Sequence, residues 1–391
     1  MFNKDTELFP STRSSYFLSH CAVSPLYRDA AHAMHEFNEK MAHLGLTALD
    51  SFAALLPRYR RGFGTLLKTE AGNISYTHTT AEAMNQIAWG YPFAPGDRII
   101  SYRHEYPSNH YPWLLQHKRG VILDLLPDTA RAPGFAPGEK PSGWDMDDLA
   151  RLCTERTRVV ALSHVQFASG FAADLAALGA FCKERDIDLI IDCAQSLGCL
   201  PVYPEEMGIS AVAASGWKWL LGPKGSGVLY TSQALRDKLS PPLGGPSMMR
   251  QQTDYLDLNW QPFTDGRMFE YSTMPWDHIA ALVSIVEDLF TRYAMEDIRD
   301  EVFRLQDLFL NHLDPSLFAV QRFDDTHRSG IVSMTTTGES KEMVRNLGAA
   351  GVVISERGGY LRLAPHFYQS DEQIVEAAAI CNRIAAGQAE T

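Results

Sequence analysis

A chain of 391 residues exceeds what one hydrophobic core ordinarily organises, so one large and one small domain are expected. Hydrophobic residues make up 45% of it, and no low-complexity tract or period of repeat length interrupts them, which excludes a disordered chain or a solenoid. The formal net charge of −12 comes without a basic stretch and argues against nucleic acid as a partner, while no window is apolar enough for a membrane span.

From the start of the chain, MFNKDTELFPSTRSS places charges every few residues and lacks the apolar stretch of a signal peptide, so a cytoplasmic location is expected. Six cysteines, Cys21, Cys153, Cys182, Cys193, Cys199 and Cys381, show no CxxC spacing. They read as reduced thiols, and neither a disulfide framework nor a metal site is expected. The helical AEAMNQIAWG is followed by short β-rich runs, DRIISY, GVILDLLP, RVVALSH, DIDLIID, AVAASG and GSGVLYT, with the helical FAADLAALGAFCKER among them. Continuous apolar strands separated by helices imply a mainly parallel sheet covered on both faces, an α/β fold whose ligands sit beyond the carboxyl ends of the strands.

Residues 128–144 hold too much Pro and Gly for a regular element and read as a surface excursion, and residues 240–268 are similar. Long helical patterns then run from PWDHIAALVSIVEDLF to FRLQDLFLNHL. The last segment, with GIVSMTT, GVVISERGGYLRLAPHFY and the helical SDEQIVEAAAICNRIAAG, predicts a small α+β domain. The division expected is an N-terminal segment at 1–20, a large domain at 21–275 and a small C-terminal domain at 276–391.

Four strand ends carry polar groups out of character with buried apolar runs: Glu105 and Tyr106, His164 and Gln166, Asp192 with Ala194 and Gln195, and Ser215 with Lys218. Pyridoxal phosphate needs such a set, with an amine for a Schiff base and a carboxylate to keep its pyridine nitrogen protonated. Tyr106 can stack on one face of the ring while the small Ala194 covers the other, and Gln195 would reach the ring oxygen. In THTTAEAMNQ, Thr79 and Thr80 stand just before a helix whose first turn holds Ala81, Glu82 and Ala83, so free backbone amides and the hydroxyls of Thr80 and Ser215 can hold a phosphate. A helix terminus alone contributes only about 0.3–2 kcal/mol toward an anion, so the hydroxyls must add to it.

The stretches SHVQFASG, IIDCAQSLG and SGWKWLLGPKGSGVLY resemble class V aminotransferases, the fold-type I group that includes cysteine desulfurases, isopenicillin-N-epimerase-like proteins and kynureninase. The resemblance runs from YFLSHCAVSPL to LRLAPHFY. It implies that Lys218, Asp192 and Tyr106 do the chemistry at the cofactor, with Thr80, Ala81, Gln166, Ala194, Gln195 and Ser215 as further cofactor contacts. FEYSTMPW resembles the segment whose threonine reaches a neighbouring subunit's phosphate, so Thr273 implies a homodimer with shared sites. Arg362 matches the arginine that binds the substrate α-carboxylate, where a guanidinium gives two parallel charged hydrogen bonds. Arg357 and His20 are further substrate-binding candidates.

Trp217 stands where many relatives carry a phosphate-binding histidine. No cysteine occurs between RSGIVSMTT and ERGGYLRL, although a desulfurase needs a mobile thiol on the loop before the arginine, so a persulfide-forming desulfurase is not expected. Amino-acid transamination is the favoured reaction, with β-elimination of a C–S or other bond, or epimerisation, as the alternative. A non-catalytic regulator that merely keeps the cofactor is disfavoured by the presence of Lys218, Asp192 and Arg362 together.

Overall fold

The computed structural model describes residues 2–130, 140–251, 254–336 and 338–389. The excursion expected at 128–144 falls mostly outside the described residues. Seven strands form the central sheet: β1 (Ile74–Thr77), β2 (Arg98–Tyr102), β3 (Ile122–Leu126), β4 (Thr157–Ser163), β5 (Asp188–Asp192), β6 (Ala211–Ser215) and β7 (Gly227–Thr231). Their order across the sheet is β1-β7-β6-β5-β4-β2-β3, with β7 antiparallel to both neighbours and the other pairs parallel.

Because successive side chains of a strand point to opposite faces, the same apolar run feeds two cores. Leu189, Ile191, Val212 and Ala214 enter one core, and Ile190, Ala211 and Ala213 enter the other. This is why the central strands read as continuous apolar runs rather than alternating ones. β3 lies at the edge and is largely open to solvent. The sequence did not reveal β1, a four-residue antiparallel edge strand whose ISYT pattern is too short to carry a period.

Eight longer helices surround the sheet and the smaller domain: α1 (Arg28–Leu44), α2 (Leu55–Leu67), α3 (Thr80–Gly90), α4 (Leu175–Lys183), α5 (Trp276–Ile285), α6 (Met295–His312), α7 (Ser340–Ala349) and α8 (Asp371–Ala389). Helix α3 covers one face through Ala83, Met84, Ile87 and Ala88. Helices α2, α4 and α5 cover the other through Phe63, Leu178 and Ile279, among others. The chain is therefore an α/β protein with a mainly parallel sheet under helices on both faces.

The smaller domain has a four-stranded antiparallel sheet of β8 (Phe318–Gln321), β9 (Val332–Thr336), β10 (Ser355–Arg357) and β11 (Tyr360–Leu363), in the order β10-β11-β9-β8. Its core joins Met334, Leu361 and Leu363 to Met343 and Leu347 of α7 and to Ile374 and Cys381 of α8. Residues 276–302 pack with the large core, since Ile279, Leu282, Ile298 and Val302 belong to it, whereas Leu305 and Phe309 belong to the small one. We therefore place the division within α6 instead of near residue 275. The N-terminal segment also joins the small domain: Tyr16 and Phe17 pair in parallel with Val352 and Val353, and Leu18 enters its core.

Gly198 closes the turn that follows β5. Its φ of 98° is a left-handed conformation, and an added Cβ would lie 2.5 Å from the Trp219 carbonyl oxygen, one residue beyond Lys218. Gly198→Ala is expected to destabilise the protein by about 1–3 kcal/mol. A lowered midpoint in thermal unfolding checks this, and an unchanged midpoint would show that the contact relaxes freely.

Candidate active site

The segments after β2, β5 and β6, together with the start of α3, meet around one cavity of about 300 Å³. Strand register brings them level, because Ser163 pairs with Asp192 and Asp192 with Ala213. Thr80, Ala81, Tyr106, Asp192, Ala194, Ser215, Lys218 and Arg357 all line this cavity, as the sequence led one to expect for a single site. Ala22, Val23, Ser108 and Trp217 line it too. Ser108 escaped notice because a serine in a Pro-rich turn carries no distinguishing pattern, and Ala22 and Val23 reach the site only through tertiary folding.

Lys218 follows β6 in a tight turn that three separate segments hold. Gly216 N–H donates to the Ser226 carbonyl at 2.7 Å, Leu221 N–H to the Lys218 carbonyl at 3.0 Å, and Gly222 N–H to the Gly216 carbonyl at 2.7 Å. From the N-terminal segment, Ser24 N–H donates to the Trp217 carbonyl at 2.9 Å and Tyr27 N–H to the Leu221 carbonyl at 3.0 Å. From the small domain, His366 Nε2 meets the Trp219 carbonyl at 3.0 Å. The lysine is thus fixed from both domains, while its Nζ stands 5.4 Å from the centre of the Tyr106 ring.

Asp192 is buried, and its Oδ1 accepts from Ala194 N–H at 2.8 Å. Its other oxygen has no partner among the described residues. Burial raises the Asp192 pKa against the opposing pull of Lys218 and the Ala194 amide. Burial likewise lowers the Lys218 pKa, opposed by Asp192 and assisted by the positive charge of Arg362. Desolvation therefore outweighs mutual attraction for both groups, and more of the lysine is held as neutral amine near neutral pH.

At the phosphate end, Thr79 caps α3 by accepting from Glu82 N–H at 3.0 Å, and Thr80 Oγ1 lies 2.9 Å from Ser215 Oγ. The Thr80 and Ala81 amides have no acceptor among the described residues, as the first turn of a helix requires. Two hydroxyls, two free amides and a helix N-terminus fit a phosphate group. A carboxylate with a vacant oxygen, an amine whose pKa burial lowers and an aromatic face fit the rest of pyridoxal phosphate.

Other expected residues stand back from the cavity. Gln195 Nε2 donates to the Cys21 carbonyl at 2.9 Å, and its Oε1 accepts from Trp219 Nε1 at 3.3 Å, so it braces the N-terminal segment. Arg362 is buried behind the lining, with Nη1 on the Phe167 carbonyl at 2.5 Å and Nη2 on Ser355 Oγ at 3.0 Å. Its Nε has no partner among the described residues. Gln166 is buried with its Nε2 on Glu105 Oε1 at 3.1 Å.

His20 is not brought to the site. It is fully buried, with Nδ1 at 2.7 Å from the Ala364 carbonyl and Nε2 at 2.6 Å from the Tyr368 hydroxyl, so both ring nitrogens are engaged in packing the N-terminal segment on the small domain. Thr273 is exposed and outside the cavity lining. Arg357 is exposed at the rim, bonded to the Glu356 carbonyl at 2.6 Å.

Glu105 carried no role in the sequence reading beyond its place at a strand end. Its buried carboxylate accepts from Ser163 N–H at 2.7 Å, from the Ser163 hydroxyl and from Gln166 Nε2. Burial pushes its pKa up to about 7, against these three donors, and the charge of Asp192 adds to the rise. Leaving a buried donor unpaired costs about 1–3 kcal/mol, so the carboxylate is bound firmly into its surroundings.

Comparison with known proteins bears on the family and the fold. A probable cysteine desulfurase of Methanothermobacter thermautotrophicus is 26% identical over 391 aligned residues, covering 93% of each chain. A probable cysteine desulfurase of Pyrococcus abyssi is 29% identical over 243 residues, 60% of this chain and 58% of the relative. Among solved structures, the cystine C–S lyase C-DES superposes with a TM-score of 0.85 at 20% identity, covering 96% of this chain and 99% of that one, a likeness of fold. The class-V aminotransferase profile matches residues 16–362, and the chain belongs to that family.

Proposed function

We propose that the protein is a pyridoxal-phosphate-dependent C–S lyase that removes the β-sulfur from a sulfur-containing α-amino acid. The observation that carries this reading is a pair of facts taken together. The full-length relative above is named a cysteine desulfurase, yet no cysteine stands between residues 330 and 362 of this chain to take up sulfur. Cys21, on the segment that borders the cavity, is buried with its sulfur 3.6 Å from Ser355 Oγ. The sulfur would then leave in a small-molecule product, as in the C–S lyase that shares the fold. Transamination, which the sequence placed first, becomes the second reading because the relatives' names favour C–S chemistry.

Bound pyridoxal phosphate supplies a protonated pyridine ring that draws electron density from the substrate α-carbon. Thr80, Ser215 and the free amides of Thr80 and Ala81 hold its phosphate, and Asp192 keeps the ring nitrogen protonated. Arg362 would orient the substrate through its α-carboxylate once its guanidinium exchanges the Phe167 carbonyl and Ser355 Oγ for the carboxylate oxygens. Lys218, whose pKa burial lowers, would take the α-proton as a general base, a role typically worth about 10²–10⁴-fold. The C–S bonding pair departs with the leaving sulfur. Tyr106 covers the ring and keeps water from that face. Thr273 is read as a contact to a second subunit's phosphate in a homodimer, supported by its exposure and by the exposed Tyr255, Leu256, Leu258 and Trp260. The six free cysteines suit a cytoplasmic setting.

Lys218→Ala is expected to remove both the visible absorbance of the cofactor-loaded protein and all turnover. Activity surviving that change would overturn the mechanism. Mixing the loaded protein with L-cysteine or L-cystine, without any keto acid, should yield pyruvate and ammonia while the visible band persists, together with sulfide from L-cysteine or cysteine persulfide from L-cystine. A band that disappears with one equivalent of keto acid released would establish an aminotransferase instead. Arg362→Ala should raise KM for the amino acid at least 10-fold with a smaller change in kcat, and an unchanged KM would take Arg362 out of substrate binding.

A further inference from the structure

Behind the cavity, one buried carboxylate joins the loop after β2 to the segment that ends β4 without lining the site. Glu105 directly precedes Tyr106, so its anchorage sets where the loop after β2 presents the Tyr106 ring. Its partner Ser163 ends β4 and pairs in register with Asp192, and the next residue, His164, donates its N–H to the Asp192 carbonyl at 2.9 Å. Its third donor comes from Gln166, whose neighbour Phe167 does two things. The Phe167 ring meets Tyr106 edge-on with centroids 5.3 Å apart, and the Phe167 carbonyl accepts from Arg362.

Resting on the cofactor reading above, we infer that Glu105 is the positioning residue of this site, setting the Tyr106 ring, the Asp192 strand end and the Arg362 clamp relative to one another. Three donors converge on a single carboxylate, two from Ser163 and one from Gln166, so Glu105 ties the loop that carries Tyr106 to the one segment that meets both Asp192 and Arg362. Gln166 spends its amide N–H on Glu105, while its own Oε1 has no partner among the described residues. That investment of a buried amide in holding a carboxylate makes sense only if the carboxylate's position matters. The same feature separates Glu105 from Asp192, which lines the cavity and has an oxygen free to meet a ligand.

The test compares the holoenzyme with Glu105→Gln, which keeps the shape but presents an N–H where donors now converge, and with Ser163→Ala, which removes one donor and keeps the chain fold. Displacement of the ring and clamp should weaken pyridoxal phosphate binding, read as quenching of tryptophan fluorescence during titration of the apoprotein. It should also shift the visible absorption maximum of the loaded protein. With L-cystine, kcat/KM should fall about 10- to 100-fold, as misplacement of reacting groups by about 1 Å does, with the thermal midpoint of the apoprotein nearly unchanged. Ser163→Ala should move the same readouts in the same direction by less, and it carries the test if Glu105→Gln fails to fold. Variants that match the wild type in cofactor affinity, spectrum and KM would overturn the inference. Wild-type protein that neither binds pyridoxal phosphate nor shows a visible band would overturn the cofactor reading itself, a separate outcome.

Discussion

Everything in the site follows from placing a carboxylate and an amine together where water is scarce. Neither group gains enough from the other to offset the loss of hydration, which is why burial raises the pKa of Asp192 and lowers that of Lys218. Such a pair persists only if the surrounding fold is stable enough to impose it. The imposing element is the register of the parallel strands, because a shift of one residue in β5 would turn Asp192 away from the cavity and expose its apolar neighbours on the wrong face. The two cores that sandwich the sheet therefore hold the chemistry in place as much as they hold the fold.

The same dependence explains the buried histidines. His366 reaches the Trp219 carbonyl, and His20 joins the Ala364 carbonyl to the Tyr368 hydroxyl. Burial keeps both imidazoles neutral, with His366 titrating only at about 4, so the clamp on the lysine turn does not change charge near neutral pH. A histidine can thus be essential to an active site's shape while touching neither cofactor nor substrate.

Much of this was legible in the sequence, and the parts that were not share a cause. The sheet announced itself through runs such as LIID and VVAL, and the site through polar residues placed where such runs end. Lys218, Asp192, Tyr106, Thr80, Ala81, Ala194 and Ser215 meet because each lies just past a strand or at a helix start. His20 was misplaced because proximity to a pocket-lining segment says nothing of which way a side chain turns, and Cys21 to Val23 pass the cavity while His20 packs inward. Glu105 was visible but mute, since the partners that give it meaning lie about 60 residues away. The division within α6 was hidden because one uninterrupted helical pattern serves two cores in succession.

The pairing of residues 16 and 17 with residues 352 and 353 has a bearing on how the molecule is made. A ribosome releases the N-terminal strand more than 300 residues before its partner, so the small domain cannot complete its core until nearly the whole chain has emerged. On the division we place within α6, the larger unit is an insertion between two pieces of the smaller one. The larger unit is free to fold first, during synthesis. The lysine turn acquires its last restraint, from His366, only when the two distant ends of the chain come together.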